Sequence, residues 1–232
     1  MRTDPERVTR EQIESVSHSQ PGDFLLAGRK WSLLAGVFSP AAFPSTAIFD
    51  SLIPYPVGGA FLEMGCGAGV IAVSAALARC ARVTAADVNP AAVSNARLNA
   101  MRHGVGDIEV VHSDLFNDLP AGSLFDVIFW NSNFVRVADD YDYESCYARA
   151  FFDPGYRTHR RFLTDAVRHL TVTGRLLLGF SDLGDRESLA AMAAEQRLLI
   201  SSLGGVVSEE TPPVRYELLE LCRDGTGHAS TM

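Results

Sequence analysis

Phe61-Leu62-Glu63-Met64-Gly65-Cys66-Gly67-Ala68-Gly69 decides how this chain folds. A short apolar run ends in an acid, and glycines then fall at every second position. Val70 to Leu77 follows with the length and apolar composition of a buried helix. The order is strand, tight turn, helix. Glycines suit such a turn because they tolerate positive φ and let a ligand lie against bare backbone. The helix start then offers free N–H groups and a positive dipole end to a carboxylate or phosphate. The loop alone does not name its ligand. A G-x-G-x-x-G spacing would point to a dinucleotide, but here it is G-x-G-x-G, with Glu63 two residues before the first glycine.

Downstream the pattern repeats. A second strand, Arg82 to Ala86, ends at Asp87, and Asn89-Pro90 reads as an N-cap with proline at the first helical position. That helix runs to about Arg102 and closes at Gly104. A third strand, Ile108 to Val111, leads into Ser113-Asp114-Leu115-Phe116. The fourth, Phe125 to Trp130, is an almost unbroken apolar run, as in a sheet covered on both faces. Residues 134–157 have no clear period and exceed an ordinary connection. An amphipathic helix carrying Phe162, Leu163, Ala166, Val167 and Leu170 is expected to stop at Gly174, before a fifth strand from Arg175 to Phe180. An alanine-rich helix over 186–200, a short strand near 205–208, a turn at Thr211-Pro212-Pro213 and a last strand from Val214 to Cys222 complete the chain. Upstream lie a helix near 45–53, a hairpin within 24–38, and a polar segment, 1–22, with a weak helical pattern through Val8, Ile13 and Val16.

Strands alternating with helices imply an α/β fold with a parallel sheet, helices on both faces, and an antiparallel hairpin at the end. Ligands of such sheets bind beyond the carboxyl ends of the strands, which places Gly65, Asp87, Asp114 and Asn131 on one rim. The 232 residues, 47% hydrophobic and 21% charged, suit one globular domain with a small N-terminal addition. No apolar run approaches membrane-spanning length and no signal-peptide core is visible, so a cytoplasmic location is expected. Neither the scattered cysteines nor the histidines have metal-ligand spacing, and no metal is expected. A net charge of −8 argues against a nucleic-acid partner.

Glu63-x-Gly65-x-Gly67-x-Gly69 resembles motif I of the class I S-adenosylmethionine-dependent methyltransferases. Val37-Phe38-Ser39-Pro40, Asp87-Val88-Asn89-Pro90 and Ser113-Asp114-Leu115-Phe116 are similar to the small-domain branch, which includes release-factor glutamine and ribosomal RNA guanine N2-methyltransferases. The resemblance covers about residues 37–223. It implies a seven-stranded Rossmann-like sheet in a methyltransferase domain over 37–224, with 1–36 an arm or lid and 225–232 a disordered tail. It also implies S-adenosyl-L-methionine as cofactor. Glu63, Gly65, Cys66, Gly67 and Gly69 would hold its methionine end, and Asp87 with Val88 the ribose. Asp114 with Leu115 would hold the adenine, and Asn131 is also among the expected cofactor-binding residues. A nicotinamide-dependent oxidoreductase would share the glycine loop and Asp87 but would need neither Asp114 nor Asn131.

That branch carries Asn-Pro-Pro-Tyr/Phe after the fourth strand. There the asparagine oxygen and the next backbone carbonyl accept hydrogen bonds from a planar nitrogen, and the aromatic ring packs on it. Here the stretch is Asn131-Ser132-Asn133-Phe134, so Asn131 and Phe134 are the expected catalytic residues. Loss of both prolines predicts a less rigid loop and leaves the acceptor open: nitrogen first, oxygen second, or a catalytically silent S-adenosylmethionine-binding scaffold. Asp139, Asp140, Asp142 and Glu144 interleave with Tyr141, Tyr143 and Tyr147 in the following loop. Acids among aromatics suit an amine or cationic group, so a small-molecule acceptor is expected, with a protein glutamine as the alternative. His159 and His169, on or beside the next helix, are weaker candidates for a base.

Overall fold

The structure is a computed structural model that describes residues 4–16, 21–209 and 212–223. Helix α1 (Pro5–Val16) precedes the hairpin β1 (Gly22–Leu26) and β2 (Arg29–Leu33), and α2 (Ser45–Leu52) leads into the domain. Then come β3 (Ala60–Met64), α3 (Val70–Leu77), β4 (Arg82–Asp87), α4 (Pro90–Arg102), β5 (Glu109–His112) and β6 (Phe125–Asn131). After β6 lie β7 (Val135–Val137), a 3-10 turn (Tyr147–Ala150) and β8 (Phe152–Pro154). The chain continues as α5 (Arg157–Ala166), β9 (Leu170–Ser181), α6 (Arg186–Glu195), β10 (Leu198–Val207) and β11 (Arg215–Arg223).

Seven strands form one sheet in the order β10-β11-β9-β6-β3-β4-β5. The five strands from β9 to β5 run parallel, and β11 pairs antiparallel with β9 and β10. This is the expected fold class. Side chains alternate along β3 because the strand period is two. Phe61 packs with Phe49, Ile71 and Ala96 of α2, α3 and α4 on one face. Leu62 and Met64 pack with Phe162, Leu163 and Leu189 of α5 and α6 on the other. Both faces are therefore dry, which is why these strands read as continuous apolar runs. Strand order reverses between β3 and β6, so the loops leaving their carboxyl ends diverge and open a crevice.

Several sequence expectations need correction. Residues 134–157 are not irregular throughout. β7 and β8 pair in parallel, and Val135, Val137, Phe151 and Phe152 form a small core with Phe43. Three-residue strands joined across a long excursion leave no period to read. Gly174 does not end a helix: α5 stops at Ala166 and β9 already starts at Leu170. Gly174 instead lies where β9 slips register against β6, and a Cβ there would meet the Phe125 carbonyl oxygen at 2.7 Å. The alanine-rich helix ends at Glu195, and the strand after it is ten residues long. Its exposed, glycine-containing outer side hid it from a hydrophobicity reading. The expected disordered tail lies outside the described residues.

The N-terminal hairpin forms around Ala27-Gly28, both at positive φ, as a tight two-residue turn needs. It docks on α4 through Trp31 and Leu33. Two fully buried asparagines of α4 hold its inner strand. Asn99 Oδ1 accepts from the Ser32 N–H at 2.8 Å, and Asn95 Oδ1 from the Leu34 N–H at 2.7 Å. The Asn99 amide also donates to the carbonyl of Ala68, inside the glycine loop, at 2.9 Å.

Candidate active site

The glycine loop takes its shape from backbone that only glycine adopts without strain. Gly65, Gly67 and Gly69 have φ of 64°, 52° and 77°. The Cys66 N–H donates to Ala86 O at 3.1 Å, which ties the loop to the end of β4, and buried Cys66 has its thiol pKa pushed up. Asp87 braces the loop from the neighbouring strand. Its Oδ2 accepts from the Gly67 N–H at 2.9 Å and its Oδ1 from the Asn89 N–H at 2.8 Å. Burial raises the Asp87 pKa, opposed by those N–H groups. Glu63 is buried and accepts from the Ala72 N–H in the first turn of α3 at 2.8 Å. Burial pushes its pKa well up, against that N–H. Gly69 differs from the expectation. It faces α4, where a Cβ would lie 2.7 Å from Ala96, and does not line the cavity.

Beyond β5, Asp114 and Leu115 sit on the same rim. Asp114 is gripped by a guanidinium fork, with Arg161 Nη1 and Nη2 at 3.2 and 3.0 Å from its two oxygens. Each carboxylate oxygen keeps a second lone pair for another donor. Leu115 takes φ of 55° and turns its side chain inward, and Val88 lines the same wall.

The side where the acceptor is expected begins at the end of β6. The Asn131 amide nitrogen donates to Ser45 Oγ at 3.2 Å, so its Oδ1 is left to accept. The loop is not slack where the prolines are missing. Ser132 donates from both N–H and Oγ to Gly179 O, at 3.3 and 2.8 Å. Asn133 Nδ2 donates to Phe152 O at 2.9 Å. Phe134 stands edge-on to Phe180 and Tyr216. Side-chain hydrogen bonds thus restrain a turn that proline rings would otherwise fix.

These groups surround one cavity of about 580 Å³, within the range of small-molecule sites. Glu63, Gly65, Cys66, Gly67, Asp87, Val88, Asp114, Leu115, Asn131 and Phe134 line it. Asp139, Asp140 and Asp142 do not: they are exposed and outside it. The excursion instead contributes Tyr143, Tyr147, Phe151 and a cation, Arg149, whose guanidinium lies 4.3 Å from the Tyr143 ring centre. Sequence reasoning missed Arg149 and Arg161. Ser45, missed as well, follows the N-cap Pro44 at the start of α2 and serves Asn131. Thr9 and Gln12 of α1 line the same space. The two histidines do not reach the cavity. His159 is fully buried and paired with Asp153, and His169 stacks on Phe116. The cavity fits the expected cofactor: a Cβ at Gly67 would meet nothing within 4 Å, so bare backbone faces open space, and carboxylates stand at the ends of two further strands.

Residues 30–196 match the family described as methyltransferase small domain. The chain belongs to that family, and the S-adenosylmethionine-dependent methyltransferase class read from the sequence is borne out. Ribosomal RNA small subunit methyltransferase C of Haemophilus influenzae is 32% identical over 145 residues, which cover 62% of this chain and 39% of that protein. Release factor glutamine methyltransferase of Neisseria gonorrhoeae is 29% identical over 159 residues, 65% of this chain and 58% of that one. The chain thus spans well under two thirds of either relative. Among solved structures, the T. thermophilus 16S rRNA N2 G1207 methyltransferase, in complex with AdoMet and guanosine, superposes with a TM-score of 0.58 at 17% identity. The match covers 88% of this chain and 50% of that one and shows a shared fold. The expected small-molecule acceptor is corrected by these findings, since the relatives are named for ribosomal RNA and a release factor. The argument from net charge against nucleic acid falls with it. The described residues include no helix long and apolar enough to cross a membrane.

Proposed function

We propose that this chain transfers a methyl group from S-adenosyl-L-methionine to a planar nitrogen of a macromolecule, and specifically to the carboxamide of a protein glutamine. The observation that carries this reading is Asn131. Its amide nitrogen is engaged by Ser45, which leaves its oxygen to accept, and Asn131 lines the cavity. An N–H of a carboxamide donates to such an oxygen, which holds the nitrogen in plane and at a fixed angle. S-adenosylmethionine, when bound, supplies an electrophilic methyl group on its sulfonium sulfur. Gly65 and Gly67 would receive its methionine end, Asp87 its ribose hydroxyls, and Asp114 and Leu115 its adenine. The protein's own contribution is alignment and exclusion of water. Phe134 would pack on the carboxamide plane. The N-terminal arm would serve as a lid, because α1 places Thr9 and Gln12 against the cavity. The glutamine choice is supported by the N. gonorrhoeae relative and by a putative protein N5-glutamine methyltransferase of Methanocaldococcus jannaschii, 30% identical over 55% of this chain and 65% of its own length.

The test is methyl transfer from radiolabelled donor to ribosomal proteins and release factors on one side and ribosomal RNA on the other. Label in protein, mapped by mass spectrometry to a glutamine, is expected. Label confined to RNA would replace the carboxamide with a base nitrogen, and label in neither would remove the proposal.

A further inference from the structure

Two fully buried ionisable residues take no part in the site described above. Asp153 is the central residue of β8 and His159 lies in the first turn of α5, and both have no solvent exposure. His159 Nδ1 is 2.7 Å from Asp153 Oδ2. A carboxylate oxygen only accepts, so the imidazole proton sits on Nδ1. Asp153 also accepts two main-chain N–H groups at the start of α5, from Thr158 at 3.0 Å and His159 at 2.9 Å. Burial pushes its pKa up, but these donors outweigh burial and hold it below the ordinary carboxylate value.

The turn that this pair closes touches the acceptor loop on both sides of Asn131. The carbonyl of Phe152, which shares a peptide plane with Asp153, accepts from Asn133 Nδ2 at 2.9 Å and from the Tyr143 hydroxyl at 3.1 Å. The Tyr156 hydroxyl donates to the carbonyl of Phe134. The His159 ring packs 4.7 Å from the ring of Trp130. Tyr156 reaches its partner only by adopting φ of 56°, directly after Gly155 at the same φ. Left-handed backbone at a bulky residue is unfavourable and persists only where the surroundings over-determine it. Here the surroundings are the Asp153–His159 pair and the helix start it caps.

We propose that Asp153 and His159 are positioning residues for methyl transfer: their buried pair locks the turn over residues 152–159, which sets the placement of Asn133 and Phe134 beside the acceptor nitrogen. The inference rests on the methyl-transfer reading of the Asn131 loop. Rigid placement matters because a misalignment of about 1 Å costs on the order of a hundredfold in rate. Neither residue of the pair lines the cavity, so its effect falls on turnover and not on donor affinity.

The experiment compares D153N, H159L and H159N with the native chain by three measurements: donor affinity by calorimetry, turnover with the methyl-accepting protein, and the Asn133 side-chain NH2 resonance by NMR. D153N and H159L are expected to lower kcat by about ten- to a hundredfold while donor affinity stays within about twofold. In H159N the new amide nitrogen takes the place of Nδ1, so most of the turnover should return, even at a lowered Tm. A merely structural pair would instead lower activity in step with Tm in all three variants. The Asn133 resonance should shift and exchange faster in D153N and H159L only, and it reads the pair whether or not glutamine is the acceptor. An unshifted Asn133 resonance in folded D153N and H159L overturns the proposal. So does a donor affinity that falls as far as turnover. Native protein that labels RNA and not protein, while D153N still lowers turnover and moves the Asn133 signal, would sink the glutamine reading and leave the positioning role standing; native protein that labels no macromolecule overturns both.

Discussion

The two halves of the cavity are built differently. The half proposed to hold the donor consists of main chain at the carboxyl ends of three adjacent strands, with positive-φ glycines and a helix start, and of carboxylates at or just past the strand ends. Its loop is braced locally, from a neighbouring strand, as when Asp87 accepts from Gly67, and only Asp114 takes a distant partner, Arg161 of α5. The acceptor half is assembled from distant side chains. Asn131 leans on Ser45, Ser132 on Gly179, and Asn133 on Phe152. The contrast teaches that a ligand common to a whole family can be held by backbone geometry, whereas the group that varies is held by replaceable side-chain contacts. It also predicts where substitutions act: in the donor half on fold and affinity, in the acceptor half on rate.

The largest effect should come from Gly69→Ala. The methyl group would collide with Ala96 at 2.7 Å and the backbone is left-handed. The two costs together are about 2–4 kcal/mol of stability, measurable by chemical denaturation. A loss below 1 kcal/mol would mean that α3 and α4 can move apart, and the donor half would be softer than described. Next is Asp87→Ala, which removes a charge-assisted acceptor worth about 1.5–3 kcal/mol. Calorimetry should show S-adenosylmethionine binding weakened about tenfold or more in a protein of unchanged circular dichroism. Native-like affinity would take Asp87 out of the donor site.

Asn131→Ala sharpens the contrast from the other side. Turnover should fall about tenfold, near 1.4 kcal/mol in the barrier, with donor binding unchanged. If both fall together, the turn is structural and the division between halves fails. The smallest effect is expected from Glu63→Gln. Burial raises the folded-state pKa of Glu63 above its unfolded value. Its contribution is therefore fully present below the unfolded pKa, near 4.3, and is lost as pH rises through the folded pKa. Glutamine keeps an oxygen for the Ala72 N–H and does not titrate. The variant should be slightly more stable than the native chain at neutral pH, with the gap closing toward pH 4. Parallel melting curves at every pH would show that the buried carboxyl carries no such cost.

The same division explains what could be read in advance. The strand, turn and helix around Gly65, the Asn89-Pro90 helix start and the acids at 87 and 114 are short-range patterns, and the sheet follows from their repetition. Asn131 was visible because it follows an apolar strand and opens a stretch similar to the Asn-Pro-Pro-Tyr/Phe motif. Its support by Ser45, eighty-six residues away, leaves no mark in the sequence. His159 was read only as a weaker candidate for a base, on or beside a helix, because nothing local shows that an aspartate six positions earlier turns back to meet it. The acidic run at 139–142 misled for the opposite reason. Its composition was conspicuous, yet the backbone turns those side chains outward and Arg149 inward.

The two carboxamides on α4 have a consequence for motion. Ser32 and Leu34 give their amide protons to Asn99 and Asn95, and Asn99 also reaches the Ala68 carbonyl. A hairpin held only by its own ladder would fray freely and exchange its amides with solvent within a short time. Here those two protons can leave only when α4 releases the strand, and the same release loosens the glycine loop. Deuterium uptake at Ser32 and Leu34, which do not themselves line the cavity, therefore serves as a clock for how often the loop opens.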